Sequence, residues 1–271
     1  MNPAQLPIGV FDSGLGGLTV LRAIHERLPF ESTIYFGDSG RTPYGTKSKD
    51  TIIRYSLQIA RFLLEKKVKM IVIACNTASS HAFEAVRNFA PVPVIEVITP
   101  GADAGAAATI NQKIGIIGTK GTVSSGVYVD AVRAASADDP QIIQQACPLF
   151  VGLAEEGWWD HPVSQAVADE YLQPLKKAGI DTLILGCTHY PLLVPVIART
   201  MGESVRLVNA GSNVASRVEA VLHSQDLLNH GVTTANHSYY TSDDARQFQE
   251  LGSVFMDQPI LAAGLIDIER Y

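Results

Sequence analysis

The stretch MIVIACNTASS, residues 70–80, decides how this sequence is interpreted. An apolar run ends on Cys75 and opens directly into small polar residues. The stretch TLILGCTHYPLL, residues 182–193, has the same form and ends its apolar run on Cys187. Short continuous runs of Ile, Leu and Val are typical of strands that are buried on both faces of a parallel sheet. The two stretches therefore predict two buried parallel strands, each with a cysteine at its carboxyl end.

The same kind of apolar run recurs along the chain and alternates with helical patterns. Further strands are predicted at LPIGVF (6–11), STIYFGD (32–38), KMIVIA (69–74), VPVIEVI (92–98) and KIGIIG (113–118). Helices are predicted over 18–29 and 48–67, the second capped by Ser48 or Asp50. Strands that alternate with helices predict an α/β fold with mainly parallel sheets flanked by helices. The charged run EKKVK, residues 65–69, is predicted to be a solvated helix end.

A weak internal repeat indicates two similar halves. IGVFDSGLGG, residues 8–17, resembles IGIIGTKGTVSSG, residues 114–126, and a strand ending in cysteine follows each at a similar distance. In open α/β sheets, ligands bind outside the carboxyl ends of the strands. Two such domains that face each other would place one thiol on each side of a single ligand. We therefore expect the functional site in a cleft between the two domains.

One thiol on each face of a ligand suits the inversion of a stereocentre that carries hydrogen. Such a reaction needs a base on one face and an acid on the other, and a thiolate and a thiol can exchange these roles. Asp12 and His189 are the candidate proton partners that tune the thiols. Asn76, Thr77 and Thr188 offer amide and hydroxyl groups to the carboxylate and ammonium of an amino acid.

Composition excludes several other classes of protein. The net charge of −6 argues against nucleic acid as the main partner, which usually requires a basic surface. No apolar run approaches the roughly 20 residues of a membrane span, and the N-terminal residues lack the pattern of a signal peptide. We expect a cytoplasmic protein with three reduced cysteines, and their spacing does not predict a metal site.

Six motifs, in order along the chain, resemble the glutamate racemase family of cofactor-independent aspartate/glutamate racemases. They are IGVFDSGLGGLTV (8–20), YFGDSGRTPYGTKS (35–48), IVIACNTAS (71–79), IGTKGTV (117–123), CPLFVGLAEEG (147–157) and LILGCTHYPLL (183–193). Such enzymes interconvert L- and D-glutamate and supply D-glutamate for peptidoglycan. The resemblance implies a cofactor-independent isomerase of the cytoplasm that binds glutamate, needs no metal and forms a homodimer. It also implies two pseudo-symmetric domains, residues 1–98 with 209–271 and residues 99–208.

The resemblance further assigns the site residues. Cys75 and Cys187 would be the two bases, with Asp12 and His189 assisting the thiols and Glu155 supporting the histidine. The remaining residues would hold the substrate, and these are Ser13, Tyr44, Gly45, Asn76, Thr77, Thr119, Thr122 and Thr188. Two positions depart from the family pattern. Gly152 stands where the family often has proline, and Asn209 where aspartate is common.

Other interpretations remain open from the residues alone. A racemase of aspartate or of a hydantoin would also use paired cysteines. A two-domain amino-acid binding protein would explain the cleft but not the thiols, and a thiol hydrolase would leave Cys75 without a role. Asp12 could equally cap the helix that follows it. Cys147 lacks a polar context in the sequence and is predicted to be a core residue.

Overall fold

The computed structural model describes residues 2–231 and 235–271. The chain forms two compact units, Met1–Val97 with Gly211–Tyr271, and Ile98–Ala210. Among the described residues, no helix combines the length and apolar character required to cross a membrane.

The first part of the first unit alternates strands and helices. These elements are β1 (Ile8–Asp12), α1 (Leu18–Arg27), β2 (Thr33–Gly37), α2 (Lys49–Glu65), β3 (Met70–Ile73), α3 (Asn76–Phe89) and β4 (Val94–Glu96). Ser48 caps α2, because its side chain accepts a hydrogen bond from the backbone N–H of Thr51. The predicted strands and helices of this region are all present, with ends that differ by a few residues from the sequence pattern.

The second unit repeats this alternation. Its elements are α4 (Ile98–Ala108), β5 (Lys113–Gly118), α5 (Lys120–Ser125), α6 (Val127–Ala135), β6 (Gln141–Ala146), α7 (Leu149–Glu155), α8 (Pro162–Ala178), β7 (Thr182–Gly186), α9 (Val194–Met201) and β8 (Arg206–Val208). The chain then returns to the first unit with α10 (Gly211–Ser224), β9 (His237–Thr241), α11 (Ala245–Met256) and β10 (Gly264–Leu265).

Four strands of the first sheet, β2-β1-β3-β4, have the same order as the four strands of the second, which agrees with the internal repeat of the sequence. In the first sheet the order is β10-β9-β2-β1-β3-β4, and in the second it is β6-β5-β7-β8. Every described pair of strands is parallel. The predicted α/β class with parallel sheets is therefore confirmed. In each unit the cysteine follows the strand that pairs with the unit's first strand, which is β3 beside β1 in the first unit and β7 beside β5 in the second.

Glycine allows the loop after β1 to pack closely against its own strand. A Cβ atom at Gly17 would lie 2.5 Å from the Cβ of Asp12 and 2.9 Å from the Cβ of Ala74. Neither contact leaves room for a methyl group, so only glycine lets α1 start this close to the carboxyl ends of β1 and β3. The Gly-rich turn thus holds Asp12 against the segment that leads into Cys75.

The charged run 65–69 is only partly the solvated helix end that the sequence predicts. Glu65, Lys66 and Lys67 are exposed, but Lys69 is buried at the start of β3. Its Nζ donates to Glu31 at 2.5 Å and to the carbonyl oxygens of two other segments of the first unit. The prediction is wrong for Lys69, because a buried carboxylate and two carbonyl groups replace the water that would otherwise solvate it.

Candidate active site

Cys75 lies between β3 and α3 and is the N-cap residue of α3. Its Sγ accepts a hydrogen bond from the backbone N–H of Ala78 at 3.4 Å and lies 3.5 Å from the hydroxyl oxygen of Ser13. The side chain is almost fully buried. A sulfur in this position faces backbone and hydroxyl donors that stabilise the thiolate form once it is made.

The resting form at Cys75 is the neutral thiol. Burial, followed by the nearby charge of Asp12, raises the pKa of Cys75 to about 12, although the hydrogen bonds from Ser13 and Ala78 oppose this rise. At neutral pH the residue therefore holds a proton and can act as an acid. To act as a base it must first pass that proton to a partner. Asp12 is the candidate, because it is the charged group that raises the pKa of this thiol.

Asp12 is fully buried at the end of β1, and its Oδ1 accepts a hydrogen bond from the N–H of Gly14 at 2.8 Å. Asp12 is not the N-cap residue of α1, which is Gly17, five positions later. Asp12 instead closes a tight turn that fixes the position of Ser13.

Tyr35 on β2 holds this turn through a hydrogen bond. The sequence analysis did not predict this role. Its hydroxyl donates to the carbonyl oxygen of Gly14 at 2.8 Å. Burial and the charges of Asp12 and Cys75 raise the pKa of Tyr35 well above its ordinary value, so the phenol remains a donor. The sequence shows only that side chains alternate between the two faces of β2. This pattern does not identify the loop that the hydroxyl of Tyr35 reaches.

The other predicted substrate residues of the first unit lie in two short segments. Tyr44 and Gly45 belong to a single helical turn, Tyr44–Thr46, and Asn76 and Thr77 form the first turn of α3. Tyr44 is buried and its hydroxyl donates to Asp38. Because the hydroxyl is already engaged, this turn offers a ligand its backbone groups rather than the phenol of Tyr44.

Cys187 directly follows β7 and is buried beside His189 in the second unit. The Sγ atom lies 3.8 Å from Nδ1 of His189, and Nε2 of the same ring lies 3.0 Å from a carboxylate oxygen of Glu155. The structure therefore brings three predicted residues together as a thiol–imidazole–carboxylate chain. Glu155 comes from α7, 34 positions before the histidine.

The chain of contacts favours a charged imidazole at His189. Burial lowers the pKa of His189, but the hydrogen bonds to Cys187 and Glu155 outweigh burial and raise it to about 10. An imidazolium next to a sulfur stabilises the thiolate. The two thiol sites thus differ, since Cys75 is held as a thiol while Cys187 lies next to a cation.

The predicted threonines of the second unit lie at the carboxyl end of its sheet. Thr119 follows β5 and caps α5, because its hydroxyl accepts from the N–H of Thr122 at 3.1 Å. Thr122 and Thr188 are buried, and Thr188 stands between the cysteine and the histidine in sequence. The carboxyl end of each sheet therefore carries the residues that the sequence assigns to it.

Cys147 lies in the apolar core of the second unit, together with Phe150, Leu183 and Cys187. Burial, followed by the charge of Cys187, raises its pKa. Its sulfur lies 3.7 Å from the backbone carbonyl oxygen of Gln145. These contacts agree with the interpretation of Cys147 as a core residue. Within residues 2–231 and 235–271, no group of three or more His, Cys, Asp or Glu side chains is arranged to hold a metal ion.

Gly152 lies on α7, three positions before Glu155, and the helix forms despite this departure from the family pattern. A Cβ atom at Gly152 would meet no atom within 4 Å. Asn209, the second departure, directly follows β8.

We expect Gly152→Ala to raise the free energy of unfolding by about 0.5–1 kcal/mol, because alanine restricts the unfolded chain and favours the helix. Urea denaturation measures the change. Gly105→Ala on α4 is the matched control, since its Cβ would lie 2.4 Å from Cδ1 of Ile184. That variant should lose about 1–3 kcal/mol through overpacking. A loss of stability in Gly152→Ala equal to that in Gly105→Ala would contradict the described course of α7.

The fold and the two sites define a class of α/β protein with two units, each holding a buried thiol at the carboxyl end of a parallel sheet. Residues 8–216 match the Asp/Glu/Hydantoin racemase family. A glutamate racemase of Geobacter metallireducens is 49% identical over 249 residues, which cover 92% of each chain. The chain belongs to the Asp/Glu/Hydantoin racemase family, and the resemblance to glutamate racemases is confirmed.

Solved structures agree with this assignment. The crystal structure of glutamate racemase from Francisella tularensis in complex with D-glutamate has a TM-score of 0.92 and 35% identity, and the match covers 99% of this chain and 100% of that one. An aspartate racemase of Picrophilus torridus has a TM-score of 0.57 and 15% identity, over 81% of this chain and 94% of that one. At that identity the similarity shows a shared fold alone.

Proposed function

We propose that this chain interconverts L- and D-glutamate by proton transfer at the α-carbon, with Cys75 and Cys187 as two bases. One observation carries the proposal. Each unit has a buried thiol directly after an equivalent strand, and an ionisable side chain acts on each thiol, Asp12 through its charge in the first unit and His189 by contact in the second. The identity to glutamate racemases supports glutamate as the substrate.

The proposal requires both thiols to act on one bound glutamate. From L-glutamate, the Cys187 thiolate takes the α-proton and the Cys75 thiol donates its proton to the opposite face. D-glutamate leaves, with Cys187 now a thiol and Cys75 a thiolate. The surroundings of the two sulfurs favour this start, because Nδ1 of the charged His189 lies 3.8 Å from Sγ of Cys187 while burial keeps Cys75 protonated. From D-glutamate the same steps run in reverse.

The residues next to the thiols would stabilise each charged state. After Cys75 has given up its proton, the Ser13 hydroxyl and the N–H of Ala78 can donate to the thiolate. At Cys187, Glu155 holds the imidazolium of His189 in place.

We assign substrate binding to the turns around Tyr44, Asn76, Thr119 and Thr188, which supply polar groups to the ammonium and the two carboxylates.

We further propose that the D-glutamate is made in the cytoplasm without a cofactor and is used for peptidoglycan, and that the enzyme acts as a homodimer. These expectations rest on the family resemblance. The thiols would supply both proton-transfer groups, and polar groups of the site would stabilise the carbanion. The proposed reaction therefore needs no cofactor as an electron sink.

Polarimetry of the purified protein with L-glutamate and no added cofactor tests the proposal. We expect the optical rotation to fall to zero as the two enantiomers reach equal concentrations. L-Aspartate and L-glutamine serve as comparison substrates, and both should react far more slowly, since a polar site rejects ligands that leave its groups unpaired. Faster loss of rotation with aspartate would favour an aspartate racemase, and no loss with any of the three would refute a racemase of these amino acids.

A further inference from the structure

The segment between β2 and α2 contains a buried arginine to which neither the proposed mechanism nor the substrate assignment gives a role. We propose that Arg41 is a positioning residue that holds the Tyr44–Gly45 turn in the shape that binds glutamate, acting through Asp38. This inference rests on the proposed function, because it names a further residue of the same site.

Asp38 is the centre of the contacts. It directly follows β2 and is fully buried, and its N–H donates to the carbonyl oxygen of Asp12 at 3.1 Å. Its carboxylate accepts from the hydroxyl of Ser242 at 2.7 Å and from the hydroxyl of Tyr44. The residue therefore ties the Tyr44 turn to the end of β1, where Asp12 lies.

Arg41 supplies the charge that this buried carboxylate needs. Its Nε lies 2.8 Å from Oδ2 and 3.0 Å from Oδ1 of Asp38, and only 10% of the arginine side chain is exposed. A buried carboxylate without a cationic partner is strongly destabilised. Arg41 thereby holds the carboxylate of Asp38 in place to accept from Tyr44.

The opposite end of the guanidinium is held by residues far along the chain. Nη1 donates to Gln58 of α2 at 2.6 Å and to Glu269 at 3.0 Å, and the guanidinium carbon lies 3.9 Å from the ring centre of Tyr55. Glu269 is 64% exposed, so most of its interaction with Arg41 is weakened by solvent. The planar fork of arginine can satisfy these partners together, which the ammonium group of lysine cannot do.

The Tyr44 turn needs this support because it has little of its own. It is a single helical turn of three residues, and its described backbone hydrogen bond runs from Lys47 N to Tyr44 O. Burial, followed by the charge of Asp38, raises the pKa of Tyr44 well above its ordinary value, so the phenol stays a donor to that carboxylate. Loss of the arginine geometry should therefore shift the turn without altering either thiol.

The test is Arg41→Lys, with calorimetric titration of an equilibrated mixture of L- and D-glutamate, which adds no heat of racemisation. We expect the apparent Kd and the KM to rise by about tenfold, the effect of losing one well-placed hydrogen bond. The matched control is Arg61→Lys. Arg61 is an exposed residue of α2 that donates to the carbonyl of Tyr271 at 3.0 Å and does not contact Asp38. The control should bind as wild type does.

Wild-type Kd and KM in folded Arg41→Lys, with only a lower melting temperature, would overturn the inference while leaving the proposed function intact. If Arg41→Lys does not fold, Tyr44→Phe decides, because it removes the link to Asp38 and keeps the Arg41–Asp38 pair. A similar rise in Kd supports the inference, and an unchanged Kd overturns it. If wild type binds glutamate without racemising it, the proposed function fails and the Kd values still decide the role of Arg41. If wild type does not bind glutamate, both fail.

Discussion

Replacement of Cys75 or Cys187 by alanine is expected to abolish racemisation, with a fall of more than about 10³-fold in turnover, as for the loss of an essential acid or base. Each thiol is buried at the carboxyl end of its own sheet, next to its own proton partner. In the proposed reaction each turnover uses both thiols, so neither can substitute for the other. Polarimetry with L-glutamate and then with D-glutamate measures the loss in both directions.

Cys147→Ala is the matched control for these variants. Cys147 is a buried thiol of the second unit, like Cys187, but its sulfur bonds to the backbone carbonyl of Gln145 within an apolar core. It should keep most of the wild-type turnover, although it loses some stability because the smaller side chain leaves a gap. Alanine is the better replacement at all three positions, since a serine hydroxyl could still relay a proton slowly. Near-normal turnover in Cys75→Ala or Cys187→Ala would refute the two-base reaction.

The second large effect concerns the proton partners, Asp12 and His189. Asp12→Asn should mainly slow proton removal from D-glutamate, and His189→Asn should mainly slow it from L-glutamate, each by about 10²-fold. The equilibrium constant cannot change, because the two substrates are mirror images. For the same reason kcat/KM must stay equal in the two directions, so one slow proton transfer limits both and is a proton removal in one direction and a proton donation in the other.

Primary kinetic isotope effects with α-deuterated substrate, measured in each direction, reveal that slow step. Asp12→Asn should raise the isotope effect selectively with D-glutamate, and His189→Asn selectively with L-glutamate. His161→Asn, an exposed histidine of the second unit, is the control and should leave both values unchanged. A reversed pattern would mean that the two faces are exchanged. A symmetric pattern would mean that Asp12 and His189 act only on the shape of the site.

Much of the fold could be predicted because its central strands are buried on both faces. After their first residues, Lys113 and Thr182, KIGIIG and TLILG contain only apolar residues and glycine, and both occupy inner positions of the second sheet. Gln141–Ala146 was not predicted, because β6 is an edge strand whose sequence, QIIQQA, is half polar and partly exposed. A polar edge strand carries a weak pattern, since water can solvate one side of it.

The site could be predicted only in part, for a different reason. Cys75 and Cys187 stand out because each ends an apolar run, and this is a local signal. The order of strands in the first sheet places β2 beside β1, and this brings Tyr35, Asp38 and Arg41 close to the site. The contact between Glu155 and His189 likewise depends on the packing of α7, and local spacing does not encode it. The family resemblance supplied Glu155, whereas nothing local to residues 35–41 indicated their roles.

Deuterium incorporation tests the two-base reaction most directly. The wild-type protein is mixed with protiated L-glutamate in D₂O, the reaction is stopped after a small fraction of turnover, and the enantiomers are separated and analysed by mass spectrometry. The thiol of Cys75 exchanges with solvent before substrate binds, so the account predicts that newly formed D-glutamate carries one deuteron at its α-carbon while the recovered L-glutamate stays protiated. D-glutamate that keeps its original proton, or recovered L-glutamate that gains deuterium as fast as product forms, would contradict the transfer of protons by two separate thiols.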